Sequence, residues 1–94
     1  MPLIQIDKGA NQHSAIRLTV TTTEQMVPFP VSFYFDHIYN EGPDTIIIGI
    51  DEPTNGQNAI YLDPGQLIEG FYRTCNTLYA RTVTGTAILR VLGV

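Results

Sequence analysis

From Ala15 to Thr22 apolar and polar residues alternate, with Ile16, Leu18 and Val20 on one side and Arg17, Thr19 and Thr21 on the other. That is the period of a half-buried β-strand. Val31 to Tyr39 repeats the pattern, setting Val31, Phe33 and Phe35 against Ser32, Tyr34 and Asp36. In Thr45 to Asp51 both parities are apolar, because Ile46, Ile48 and Ile50 share one face and Ile47 and Gly49 the other. This suits a central strand covered on both sides. Further strands are expected at Ile60 to Leu62, Gln66 to Tyr72, Leu78 to Thr82 and Ala87 to Leu92, with Leu3 to Asp7 as an optional first one.

Gly, Pro, Asn and Asp cut the chain between these segments at Gly9-Ala10-Asn11, Val27-Pro28-Phe29-Pro30, Asn40-Glu41-Gly42-Pro43, Asn55-Gly56, Asp63-Pro64-Gly65 and Val83-Thr84-Gly85. Pro64 followed by Gly65 is a type II turn signal, and Gly85 provides the left-handed residue of a hairpin loop. No apolar run at helical spacing exceeds about two turns. The reading is an all-β chain, a small antiparallel β-sandwich of seven to eight strands. Residues 1–13 form an N-terminal arm or first edge strand, and 14–94 a single sandwich domain. Phe33, Phe35, Ile46, Ile48, Leu67, Leu78 and Leu89 are expected to share one core between two sheets.

Composition sharpens this picture. Val, Ile, Thr, Tyr and Phe fill 37 of the 94 positions, a bias towards strand. Five Lys plus Arg against nine Asp plus Glu give a net charge of −4. So few cations argue against nucleic acid and anionic membrane as partners. The longest apolar stretch is far short of the roughly 20 residues of a spanning helix, and the first residues lack a basic head and apolar stretch, so a product made or assembled in a cytoplasm is expected. Cys75 is the single cysteine and has no partner for an internal disulfide.

Candidate chemistry is sparse. Nothing around Cys75 matches a nucleophile turn, and His13 and His37 lie 24 residues apart on different elements, without metal-ligand spacing. Asp36, His37, Glu41 and Asp44 crowd one hairpin end, but Gly42 and Pro43 interrupt the alternate oxygen ligands of a calcium loop. The polar loop Asp51 to Asn58 is a candidate for hydrogen bonding to sugar hydroxyls, weighed against an ordinary solvated loop. The expectation is therefore a non-enzyme with no catalytic residue, no metal and no cofactor. Tyr34, Tyr61, Tyr72 and Tyr79, with Leu3, Ile4 and Ile6 of the arm, are the candidate interface residues.

Ile60-Tyr61-Leu62-Asp63-Pro64-Gly65-Gln66, followed by Leu78 to Gly93 with its Thr84-Gly85-Thr86 hairpin between strands carrying Arg81 and Arg90, resembles the end of small all-β virion proteins of tailed bacteriophages. The likeness covers about a third of the chain and carries no catalytic residue. It implies a jelly-roll-like fold and a building block of the particle. Expected partners are further copies of the chain in a homo-oligomer and the major capsid protein or another virion protein, which would place the chain in the virion. Within that reading it is a capsid decoration (cement) subunit, with a tail or fibre adaptor as the alternative. A carbohydrate-binding β-sandwich module is the reading from a different class. Lys8 is the sole lysine, so strand edges lack the charge that usually blunts them, which leaves room for symmetric association.

Overall fold

The described residues pair with one another from Ser14 and Gly93 inward. In the computed structural model, residues 14–93 are described, the side chains of residues 14, 30–33 and 70–73 excepted. Six strands follow in order: β1 (Ser14–Val20), β2 (Gln25–Pro43), β3 (Ile46–Ile50), β4 (Ile60–Leu62), β5 (Leu67–Thr82) and β6 (Ala87–Gly93). β1 runs antiparallel to β6, β2 to β5 along most of its length, and β3 to β4. The result is one long antiparallel ribbon whose tip is the connection between β3 and β4.

That ribbon is rolled up. The C-terminal half of β2 also pairs with β6, through Phe35 to Pro43, and β3 also pairs with the C-terminal half of β5, through Leu78 to Thr82. Two four-stranded layers result. One holds β1, β6, the C-terminal half of β2 and the N-terminal half of β5; the other holds the N-terminal half of β2, the C-terminal half of β5, β3 and β4. A hairpin ribbon wound in this way into two packed sheets is a jelly roll. Counting the halves of β2 and β5 separately gives eight antiparallel segments where the punctuation gives seven over the same residues; the added one is the N-terminal half of β2, and the optional strand Leu3 to Asp7 lies outside the described residues.

One core lies between the layers. Ile16 and Val20 of β1, Leu89 and Val91 of β6, and Phe35 and Ile38 of β2 meet Ile46, Ile48 and Ile50 of β3, Leu62 of β4, and Cys75, Leu78 and Ala80 of β5. Phe29 packs edge-on against Phe35 with ring centroids 6.4 Å apart. All five residues of β3 are buried, as its double apolar parity requires. At one end the roll is tied across its layers, where the Thr82 amide donates to the Thr21 carbonyl at 2.8 Å.

The structure corrects three local expectations. Val27-Pro28-Phe29-Pro30 is no boundary: β2 runs through it, and the register with β5 shifts between Pro28 and Phe33 instead, which accommodates prolines that cannot donate to a ladder. Gln66 to Tyr72 and Leu78 to Thr82 are parts of one 16-residue strand, since the intervening polar residues continue the pairing. Leu67 is not a core residue. It is 47% exposed, and its neighbour Ile68 is the one packed against the core.

The reason for the last correction is a bulge. The pairing of β2 with both β5 and β6 shifts between Phe35 and His37. An extra residue in one strand resets which parity faces inward. Phe35 and Ile38, three apart, are therefore both fully buried, while His37 and Tyr39 turn to the outer face and Leu67 lies beside Tyr39. Phe33 has the same expected inward parity, but its side chain lies outside the described residues. The arm, with Leu3, Ile4, Ile6 and His13, lies outside them as well.

Two turns have the geometry that their residues demand. In the connection of β4 to β5, the Gln66 amide donates to the Asp63 carbonyl at 3.0 Å and Gly65 has φ of 82°. Between β5 and β6, Gly85 has φ of 66° and its carbonyl accepts the Thr82 hydroxyl at 2.8 Å.

Candidate functional site

The strand register assembles a groove on the outer face of the β1–β6–β2–β5 layer. Two rows of side chains cross it. One row runs Ala15, Leu92, His37 and Glu69; the next, two residues along each strand, runs Arg17, Arg90, Tyr39 and Leu67. Most of these residues line an open groove of about 620 Å³, floored in addition by Ile16 and Val91. Its volume falls in the range of roughly 300–1,000 Å³ usual for ligand sites. Ala15, Leu92, Tyr39 and Leu67 make its surface largely apolar, with charged groups at two ends.

At the β1 and β6 end, the Arg17 and Arg90 guanidinium groups share one carboxylate. Each Nε lies 3.4 Å from Glu41 Oε2. At the β2 and β5 end, the His37 ring is bracketed by two carboxylates, with Nδ1 3.4 Å from Asp36 Oδ2 and Nε2 3.4 Å from Glu69 Oε2. Nδ1 is buried, and the Asp36 contact is at ion-pair distance without the geometry of a hydrogen bond. These pairs are long and partly exposed, so each adds little to stability.

The remaining sequence candidates are drawn into structural roles. Of the crowded group Asp36, His37, Glu41 and Asp44, the first two belong to one end of the groove and Glu41 to the other. Asp44 is turned away to the β5–β6 hairpin, where its Oδ2 accepts the Thr86 amide at 3.0 Å. In the loop from Asp51 to Asn58, Asp51 and Thr54 are engaged within the fold. Asp51 Oδ1 accepts the Asn76 and Thr77 amides at 2.8 and 2.9 Å. The Thr54 amide, at 2.8 Å, and the Thr54 hydroxyl both donate to Glu24 Oε1, and Arg81 Nε donates to the Thr54 hydroxyl at 3.0 Å. The bonds from Thr54 hold the Glu24 carboxyl below its ordinary range, assisted by the Arg81 charge.

Cys75 is buried in the core, and desolvation, reinforced by the Asp51 charge, pushes its thiol up to about 12. A thiol held protonated in this way is a poor nucleophile at neutral pH. Among the described residues, no three His, Cys, Asp or Glu side chains are grouped to hold a metal ion. Of the candidate interface tyrosines, Tyr61 is 62% exposed on β4, Tyr34 is exposed on β2 and Tyr79 is half-buried on β5. The side chain of Tyr72 is outside the described set.

Sequence reasoning placed Arg17 on the outward parity of its strand but missed the groove. Its walls come from four strands spread between Ala15 and Leu92, and no local pattern announces which of them become neighbours. Ile38, an apolar residue on the polar parity of its strand, was the one available sign of the bulge that turns His37 and Tyr39 outward. Comparisons with protein-family models, curated proteins and solved structures find no match.

Proposed function

We propose that the chain is a non-enzymatic structural protein of a tailed-bacteriophage virion, a decoration (cement) subunit that binds the major capsid lattice as a symmetric oligomer. The observation that carries this reading is the outer face of the roll, where four hydrogen-bonded strands present an apolar groove with opposite charges at its two ends. A rigid face of this kind is suited to docking, because little ordering entropy is lost when it binds. Mass action supplies the mechanism. A subunit that binds the assembled shell and not its precursors stabilises the assembled state by its differential affinity.

Mass spectrometry of purified particles tests the proposal. The expected result is this chain at a fixed copy number in simple ratio to the major shell protein; absence from washed particles overturns it. A copy number of about a dozen or fewer favours the tail or fibre adaptor over decoration. A carbohydrate-binding module is the second reading. Tyr39 in the groove, beside Arg90 and Leu67 in the register, favours it, since an aromatic ring with a neighbouring guanidinium is a surface on which a sugar can stack. Saturable binding to particular glycans on an array, lost in Tyr39→Ala, would establish that reading instead.

A further inference from the structure

We infer that the groove face of the β1–β6–β2–β5 layer is a self-complementary contact, whose occupant is the same face of a second copy of this chain. The inference rests on the reading of the chain as a self-associating structural subunit, and adds which surface associates and how it is recognised.

The argument is one of charge and symmetry. Across the layer, the order of strands is β1, β6, β2, β5. On the β1 and β6 side, two guanidinium groups share the single carboxylate of Glu41, which leaves an excess of positive charge. On the β2 and β5 side, the Glu69 carboxylate extends from β5 beside the His37 ring, 3.4 Å from its Nε2, and offers a negative charge at that end. Between them lie Leu92 of β6 and Tyr39 of β2, with Leu67 beside Tyr39 on β5.

Consider two such faces about 10 Å apart, the spacing of packed sheets, related by a two-fold axis lying between them and running roughly along the strands. The axis places β1 of one copy over β5 of the other. In the register Arg17 lies level with Leu67 of β5 and Glu69 two residues further along, so an axis inclined by roughly 25° to the strands brings Arg17 over the partner's Glu69 and, by symmetry, Glu69 over the partner's Arg17. The apolar side chains between them meet at the centre. Both side chains extend into solvent in the single chain, Arg17 at 61% and Glu69 at 69% exposure, so each can reach across. Opposed charges at such a rim set orientation and partner choice, and burial of the central apolar side chains supplies the affinity.

Charge reversal tests this, with sedimentation velocity on the purified chain from about 10 μM to about 1 mM at low salt. The wild-type chain is expected to form dimers in this range, weakening as salt is added. Arg17→Glu and Glu69→Arg, each alone, bring like charges together twice across the axis, and each should weaken the dimer at least tenfold while thermal unfolding stays unchanged. An equimolar mixture of the two variants should form a heterodimer at wild-type strength, because every opposed pair is then attractive.

A wild-type chain that stays monomeric at about 1 mM overturns the inference, as do single variants that associate like wild type or a mixture that fails to pair. Deletion of residues 2–12 separates the other occupant. If that deletion abolishes the dimer and the reversals do not, the arm and not the groove face is the contact. Failure here is distinct from failure of the virion reading. A chain found in particles but monomeric in solution overturns the groove contact alone, and a charge-dependent dimer absent from particles overturns the virion assignment alone.

Discussion

Asn40 and His37 lie three residues apart on β2, and the protein treats them in opposite ways. Asn40 is fully buried at the end of the roll, and each of its polar atoms is matched. Its Nδ2 donates to the carbonyls of Asp44 and Leu62, both at 2.8 Å, and its Oδ1 accepts the Gly42 amide at 2.7 Å. Its own backbone accepts the Gly65 amide at 2.7 Å and donates to the Gln66 carbonyl at 3.1 Å. One side chain thus joins the end of β2 to the start of β3, the end of β4 and the turn into β5. His37 stands in the groove between carboxylates at 3.4 Å, and the arginines at the far end share one acceptor at the same distance. Where polar groups are consumed inside the fold they hold connections in place. Where they are loosely paired on an open face they remain available to something else.

The comparison can be broken by mutation. The largest effect belongs to the core beneath both regions: Phe35→Ala removes a fully buried ring and its contact with Phe29, and should cost about 3–5 kcal/mol in denaturant unfolding. A loss below about 1 kcal/mol would show that the layers do not close over Phe35. Next comes Asn40→Ala, which removes the side-chain partner of three backbone groups, two buried and one part-buried. At roughly 1 kcal/mol or more for each, the expected loss is about 3 kcal/mol, measured in the same way.

Cys75 tests the dry interior through its chemistry. Alkylation by iodoacetamide at pH 8 should be at least about a hundredfold slower in the folded chain than in denaturant, because both burial and the raised pKa suppress the thiolate. The stability linkage has a definite sign. The folded thiol titrates near 12 and the free one near 9.0, so the favourable contribution of the protonated thiol is complete below pH 9 and is lost as pH rises from there towards 12. Unfolding followed from pH 8 to pH 11 should therefore show Cys75→Ala to be less sensitive to alkali than wild type.

Smaller effects follow towards the surface. Asp51 caps two amides of β5 and has φ of 59°, a conformation that alanine tolerates poorly; Asp51→Ala should cost about 1–2 kcal/mol. In Asp51→Gly the strain vanishes while the lost caps remain, so this variant should fall between wild type and Asp51→Ala and divide the two terms. Smallest is Glu41→Gln, which should change unfolding by less than about 0.5 kcal/mol even though it removes the negative charge that both arginines share. A larger loss there would mean that the groove charges are part of the framework, and the contrast with Asn40 would fail.

Much of this architecture is legible in the amino-acid sequence. The all-β class follows from period-two alternation and from the absence of helical spacing. β3 follows from its double apolar parity, and the turns at Gly65 and Gly85 from residues that tolerate positive φ. Cys75 is legible as a packed residue without an internal disulfide partner, and the structure adds that its thiol is desolvated in the core. Less legible are the long strands. Pro28 and Pro30 read as a boundary, yet β2 passes through them, because a ladder that shifts register where an amide is missing need not end there.

The groove lies beyond the reach of the sequence for a different reason. Alternation determines which residues of a strand share a face, and local turn chemistry determines where strands stop. Neither determines which strands lie side by side once a ribbon is rolled, nor where a bulge exchanges one face for the other. The bulge after Phe35 moved Leu67 from the expected core to the groove wall and turned His37 and Tyr39 outward. The rolling brought Ala15 and Leu92, from opposite ends of the chain, into register as neighbours. Such choices are decided by the simultaneous burial of apolar side chains from all six strands in one core, a collective quantity to which each local pattern contributes and which none of them contains.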